Sequence, residues 1–305
     1  MSRYNCNGCY IEPPTTAAGP ADAEEPPSRR GAARAGAPPG FREPLFSEKL
    51  RGSVRAVKNS LKLRLLSSRT PSFGTWISSS SIVCLDALKG LGFEWFMVDT
   101  EHAQVNPETV AAMVAIVGAD GPTPLVRVGN VDPYPVKQAL DSGASGLLAP
   151  LVSTEAQARA VVSFAKYPPE GVRGAAAAAS SRYGSELSTY LRSANAQTLV
   201  GVQIETKEGV ENVGSIAQVP GVDLLFVGPQ DLTLSLGLLD DRKNPRVHEA
   251  MRQVVDACER HGKIPGTLIV DPEEKRAALD LGFRFISLAS DVRFLLQGAK
   301  AYLGE

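Results

Sequence analysis

Histidine and cysteine are both scarce in this 305-residue chain, with three and four copies. Cys6, Cys9, Cys84 and Cys258 are too few for a disulfide framework, so a reducing, cytoplasmic setting is the expectation. An excess of charge is missing too, since 32 basic side chains face 33 acidic ones for a formal net charge of −1. A general nucleic-acid binder carries a strongly basic domain, so nucleic acid is not an expected partner. Nothing in the overall charge draws the chain to a membrane surface. No run of 18 apolar residues occurs, which excludes a transmembrane helix. The glycine-rich dinucleotide fingerprint does not follow the first strand-like segment, and the Walker phosphate loop is absent.

Large apolar residues are thin at the N-terminus. Residues 1–44 hold 8 Pro, 5 Gly and 8 Ala, a composition that buries too little surface to offset its ordering entropy. Residues 1–56 are therefore expected to be a disordered extension or a targeting segment, with the folded domain over 57–305. Leu50, Val54, Val57, Leu61 and Leu65 recur at helical spacing within 46–68, beside six basic residues and Glu48. That pattern suits a surface helix packed on the domain, or part of an organelle transit sequence. Glu12, Asp22, Glu24 and Glu25 weigh against transit, because such peptides are poor in acids. The pair Cys6 and Cys9 has the spacing of a metal or redox site but no second pair beside it.

From residue 57 onward the sequence has a regular rhythm. Eight short apolar, β-rich runs are Phe73–Ser78, Trp95–Thr100, Pro124–Val128, Gly146–Leu151, Leu199–Glu205, Leu224–Val227, Ile264–Ile269 and Phe285–Ala289. Helical stretches separate them, among them Pro107–Val117, Thr154–Lys166, Val247–His261 and Glu273–Leu281, and Val292–Tyr302 ends the chain. Strands that are apolar throughout suit a parallel sheet covered on both faces. Eight β/α units in about 250 residues predict an α/β fold, the TIM (β/α)8 barrel. A doubly wound sheet is the alternative, with fewer strands.

In such a barrel the chemistry belongs at the C-terminal strand ends. The second strand runs into Asp99-Thr100-Glu101-His102, and the third carries Arg127. The fifth carries Gln203 and ends in Glu205, and the sixth runs into Gly228-Pro229-Gln230-Asp231. Glu205 and Asp231 come from neighbouring strands and together offer oxygen donors to one hard cation. Alternatively each caps a loop or pairs with a basic residue. His102 is a candidate base that Asp99 can orient, or a structural histidine; His248 and His261 fall in or just after a helix. Arg127 suits an enolate or a carboxylate, or an ion pair with Asp99 or Glu205. The turn at Gly228–Asp231 offers backbone amides to an anion, or is simply a tight connection.

These residues stand in segments that resemble the HpcH/HpaI aldolase family. The segments are Phe73-Gly74-Thr75-Trp76-Ile77-Ser78-Ser79, then Gly92-Phe93-Glu94-Trp95-Phe96-Met97-Val98-Asp99-Thr100-Glu101-His102-Ala103, then Leu125-Val126-Arg127-Val128. Tyr167-Pro168-Pro169-Glu170-Gly171-Val172-Arg173-Gly174, Val202-Gln203-Ile204-Glu205-Thr206 and Val227-Gly228-Pro229-Gln230-Asp231-Leu232 continue the series in register. The resemblance runs from about residue 59 to the C-terminus. It implies a barrel of the phosphoenolpyruvate/pyruvate type and a class II aldolase. Such an enzyme cleaves a 2-keto-3-deoxy sugar acid or 4-hydroxy-2-oxo acid to pyruvate and an aldehyde.

The resemblance also implies roles. Glu205 and Asp231 would ligate Mg²⁺ or Mn²⁺, which pyruvate would chelate. Gln203 would lie near the donor, and the amides of Gln230 and Asp231 would hold its carboxylate. Arg127 would polarise the keto oxygen, and His102, supported by Asp99, would shuttle protons. No strand ends in a Schiff-base lysine, which agrees with a metal mechanism. Thr100, Gln104, Gln230 and the run Ala175–Ser180 depart from the common family pattern near the expected mouth, which leaves the acceptor open. Oxaloacetate decarboxylation at the same site and a non-catalytic binding role are the other readings. The family also implies a homo-oligomer, a hexamer or trimer built through the last helix.

Overall fold

The computed structural model describes residues 59–119, 121–239 and 241–304. The extension expected over 1–56, the Cys6–Cys9 pair, and Leu50, Val54 and Val57 of the expected helix lie outside these residues.

Eight strands form a closed parallel barrel in sequence order. They are β1 (Ser72–Ile77), β2 (Trp95–Asp99), β3 (Thr123–Arg127), β4 (Gly146–Ala149), β5 (Leu199–Ile204), β6 (Leu224–Val227), β7 (Ile264–Ile269) and β8 (Phe285–Ser290). Ser72 of β1 pairs with Phe285 of β8 and closes the ring. The helices are α1 (Ser60–Ser67), α2 (Ile82–Lys89), α3 (Pro107–Ala119), α4 (Pro133–Asp141), α5 (Glu155–Ala165), α6 (Leu187–Gln197), α7 (Lys207–Glu211), α8 (Val213–Gln218), α9 (Pro229–Ser235), α10 (Pro245–His261), α11 (Glu274–Leu281) and α12 (Asp291–Leu303). The expected TIM barrel is the observed fold. Among the described residues no helix is long and apolar enough to cross a membrane.

Strand side chains alternate between faces, and this alternation sorts the core. Val200, Val202 and Ile204 of β5 point outward into the large cluster shared with the helices, as do Phe96, Val98 and Val126. Leu199 has the opposite parity and joins Trp76, Trp95, Met97, Leu125, Leu148, Leu224, Phe226, Ile264 and Phe285 inside the barrel. Trp95 stacks on Phe285 at 3.9 Å between ring centroids, and Trp76 meets Phe226 edge-on at 5.8 Å. Gly74 makes room for this layer, because a Cβ there would collide with the Trp95 ring. The inward rows change character along their length. Trp95 and Met97 lead to Asp99, Leu125 leads to Arg127, and Leu199 leads through Gly201 to Gln203.

The N-terminal end of the barrel is closed by α1. Leu61 and Leu65 belong to the inner cluster and are buried. Asn59 caps the helix through its Oδ1, which accepts from the Lys62 N–H at 2.9 Å, and its Nδ2 donates to the carbonyls of Ser145 and Gln197. Lys62 Nζ pairs with Asp223 at 2.8 Å, and Arg284 Nη1 donates to the last carbonyls, Leu65 and Ser68. The helix expected over 46–68 is thus part of the barrel at its described end.

Candidate active site

A cavity of about 250 Å³ opens at the C-terminal ends of the strands. Trp76, Asp99, Arg127, Gln203, Phe226, Gly228, Gln230 and Asp231 line it, with Ala289, Ser290 and Arg293 on the β8 side. Larger hollows of about 630 and 460 Å³ lie elsewhere, but neither gathers the acidic and amide groups at the strand ends.

Strand register dictates the first contact. Asp99 is directly opposite Arg127 in the β2–β3 ladder. Both face inward, and the guanidinium grips the carboxylate in a fork, Nε to Oδ1 at 2.9 Å and Nη2 to Oδ2 at 2.7 Å. Nη1 lies 2.9 Å from Glu101 Oε2 and 3.5 Å from Gln203 Oε1, and the Trp76 ring centroid is 4.4 Å from the guanidinium carbon. Of the two uses open to Arg127 in the sequence, the ion pair with Asp99 is present. Glu101 Oε2 is buried and lacks a hydrogen bond of good geometry despite the near guanidinium. Burial pushes the Glu101 carboxyl upward, and the Arg127 charge opposes that shift.

Glu205 follows the end of β5 and is 3% exposed. Its Oε1 accepts from the Leu151 N–H at 2.8 Å, and its Oε2 from Gln203 Nε2 at 2.7 Å. Gly228 permits this placement, since a Cβ there would sit 2.6 Å from Oε2. Burial raises the Glu205 carboxyl to about 7; the Leu151 bond opposes the rise and the negative charge of Asp231 adds to it. Asp231 stands exposed in the first turn of α9, whose N-cap is Gly228 with no side-chain cap. Asp99, Glu101, Glu205 and Asp231 thus cluster around one buried cation, Arg127. Among the described residues no three His, Cys, Asp or Glu side chains converge as metal donors. A cation here would be held by two carboxylates, Glu205 and Asp231, and would take its other oxygens from water or substrate. The donor chemistry and the uncompensated acidity fit a hard divalent ion.

His102 departs from expectation. Its side chain is 66% exposed, and its Nε2 lies 3.9 Å from Glu101 Oε1. Asp99 does not orient the ring. Its Oδ1 accepts from the Glu101 and His102 backbone N–H groups, and both of its oxygens are engaged by Arg127. The acid beside the imidazole is therefore Glu101. The sequence reading quoted both Glu101 and Trp76 in their motifs without assigning either a role. Inward parity on β1 is the signal for Trp76; an acid next to His102 is the signal for Glu101.

The chain matches known proteins over this same region. The profile of the family "HpcH/HpaI aldolase/citrate lyase" covers residues 72–297. A 4-hydroxy-2-oxo-heptane-1,7-dioate aldolase of Escherichia coli is 37% identical over 247 residues, which is 80% of this chain and 94% of the relative. A crystal structure of an HpcH/HpaI aldolase/citrate lyase family protein from Burkholderia cenocepacia J2315 superposes with a TM-score of 0.78 at 38% identity, covering 81% of this chain and 98% of that one. The HpcH/HpaI aldolase from Desulfitobacterium hafniense DCB-2 gives a TM-score of 0.72 at 28% identity, over 78% and 93%. The match thus spans the whole barrel and both of its charged strand ends. The chain belongs to the HpcH/HpaI aldolase/citrate lyase family.

Proposed function

We propose that the protein is a divalent-metal-dependent carbon–carbon lyase that cleaves a 4-hydroxy-2-oxo acid, or a 2-keto-3-deoxy sugar acid, to pyruvate and an aldehyde. The observation that carries this reading is the acidic cluster around Arg127 at the strand ends of a barrel of this family. The Escherichia coli relative, an aldolase by name, supports the substrate class. A cavity of about 250 Å³ suits a small keto acid and a short aldehyde, being below the ~300–1,000 Å³ of sites for larger ligands.

Glu205 and Asp231 hold the cation, Mg²⁺ or Mn²⁺, with oxygen donors. When bound, the cation draws negative charge from the donor's oxygens and so lowers the cost of an enolate. Arg127, fixed by Asp99 and Glu101, presents Nη1 to the keto oxygen. The first-turn amides of Gln230 and Asp231 hold the donor carboxylate, and Gln203 keeps Glu205 in place. In cleavage the 4-hydroxyl proton leaves, the C3–C4 bond breaks, and its electron pair passes into the pyruvate enolate. The aldehyde departs, and C3 takes up a proton. His102, exposed beside the rim, exchanges these protons through water.

The protein is also proposed to assemble as a homo-oligomer, a trimer or hexamer. On α12, Phe294 packs against Phe93 of its own barrel at 6.0 Å, while Leu295, Leu296, Tyr302 and Leu303 are exposed. Such an apolar face is a contact surface.

Deuterium exchange into the pyruvate methyl group, followed by NMR, tests the proposed reaction. Exchange requiring both enzyme and Mg²⁺ or Mn²⁺, and abolished by chelator, is the expected result. Exchange that survives chelation removes the metal from the mechanism. His102→Ala is expected to slow exchange by roughly 10²–10⁴. Its melting temperature should barely move, because the side chain is exposed. A native rate in that variant assigns the proton transfer to another group.

A further inference from the structure

Among the described residues, five that are not glycine have a left-handed backbone, and two of them stand at strand ends on the cavity side, Leu151 after β4 and Ala289 in β8. Leu151 has φ 54° and is 54% exposed. In this region a Cβ crowds the following carbonyl oxygen, so a leucine adopts it at a cost. Burial does not offset that cost here, since more than half of the residue lies in solvent. Something other than packing holds the conformation.

Hydrogen bonds hold it. β4 ends at Ala149, and Pro150 has no N–H, so Leu151 is the first residue past the strand with a backbone donor. That donor goes to Glu205 Oε1 at 2.8 Å. The next N–H, of Val152, donates to the Gln203 carbonyl at 3.1 Å. The hydroxyls of Ser153 and Thr206 meet at 2.6 Å, and Asn212 Nδ2 donates to the Ser153 carbonyl at 2.9 Å. Val152 and Ser153 are buried, unlike Leu151. Three successive residues are thus stitched to the end of β5 around Glu205. With Gln203 Nε2 on Oε2, Glu205 has one N–H on each oxygen. Its carboxylate plane is thereby fixed, and both oxygens keep acceptor capacity for a cation.

We propose that Leu151 is a positioning residue for the cation site: its left-handed backbone aims an N–H at Glu205 and holds that carboxylate in the orientation that receives the divalent ion. This rests on the reading of Glu205 as a cation ligand given above. The functional property of position 151 is then its backbone angle, and the leucine side chain is secondary. Glycine and asparagine adopt this conformation readily, whereas β-branched residues resist it. Affinity for the cation should therefore follow the left-handed tendency of the residue and run against its likeness to leucine.

The experiment titrates the full-length protein with Mn²⁺, following the free ion by electron paramagnetic resonance, and records melting temperatures in chelator. Leu151→Val and Leu151→Ile are expected to weaken Mn²⁺ binding by about 10–100-fold, the usual loss when the partner of a metal ligand is removed. Leu151→Gly and Leu151→Asn should stay within about threefold of the unmodified protein, because they keep the N–H aimed. A purely structural role gives another pattern, in which melting temperatures fall and Mn²⁺ affinity stays level. Equal affinity in all four variants, or tighter binding by the valine and isoleucine variants than by the other two, overturns the assignment. Should the β-branched variants not fold, Leu151→Ala against Leu151→Asn makes the same contrast: the alanine variant is expected to bind less tightly, and equal binding overturns the assignment. Glu205→Ala in the same titration separates the two levels. Mn²⁺ bound equally well without Glu205 sinks the cation reading. Mn²⁺ lost without Glu205 but unaffected by every change at position 151 sinks the role of Leu151 alone.

Discussion

At Glu205, burial together with the negative charges of Asp231 and Glu101 outweighs the Leu151 hydrogen bond and the Arg127 charge, and the carboxyl is raised from 4.5 to about 7. The folded chain therefore binds this proton more tightly than the unfolded chain does. The stability it contributes is present below about 4.5 and is lost as pH rises through about 7, where a buried carboxylate must form. Glu101 is shifted in the same sense. Without metal the protein should melt at a lower temperature at pH 8 than at pH 5.5, and Mn²⁺ should narrow that gap by binding the ionised form. Glu205→Gln should flatten the metal-free pH slope while abolishing metal-dependent exchange. Melting curves at several pH values, with chelator and with Mn²⁺, check both, and an unaltered slope in the variant would place the titration elsewhere. The residues of this site stood in the sequence as polar punctuation on apolar strands. Their partners did not, since whether Asp99 meets Arg127 or His102 is fixed by the β2–β3 register, which no local spacing encodes.

The strands were legible as elements because each is an apolar run between helical stretches, and all eight are observed within two residues of the expected bounds. Their inward and outward rows were less visible, because a strand buried on both faces shows no polar alternation. Parity becomes informative only at the C-terminal ends, where the inward row turns polar. The closing helix was half legible. The spacing of Leu61 and Leu65 gave a helix, but its place inside the barrel mouth depends on long-range partners such as Thr198, Asp223 and Arg284. Leu65 is fully buried among the inner aromatic and aliphatic side chains. Leu65→Ala should cost about 2–5 kcal/mol, seen as a lower urea midpoint with an unchanged slope. A loss under about 1 kcal/mol would mean that α1 only rests on the surface. Because α1 lies at the opposite end from the cavity, the surviving folded fraction should keep its rate of pyruvate exchange.

Across the whole molecule, charge is nearly balanced, yet its distribution is not. Negative groups gather at the catalytic end, while Lys62, Lys166 and Lys263 surround Asp223 at the other. Lys166 is lowered to about 8 chiefly by burial. The exposed leucines of α12 belong to this scale as well. Light scattering is expected to give a mass of three or six chains, and Leu295→Glu with Leu296→Glu to reduce it. A monomeric mass for the unmodified protein would remove the assembly proposal. One last property follows from the pairing of Ser72 with Phe285. The cavity has β1 and β8 in its wall, so it does not exist until strands more than two hundred residues apart have met. Closing a loop of that length is among the slow events of folding, whereas helices form locally and early. On dilution from denaturant, the far-ultraviolet helical signal should therefore return ahead of catalytic turnover, and the interval between the two measures how long the ring stands open.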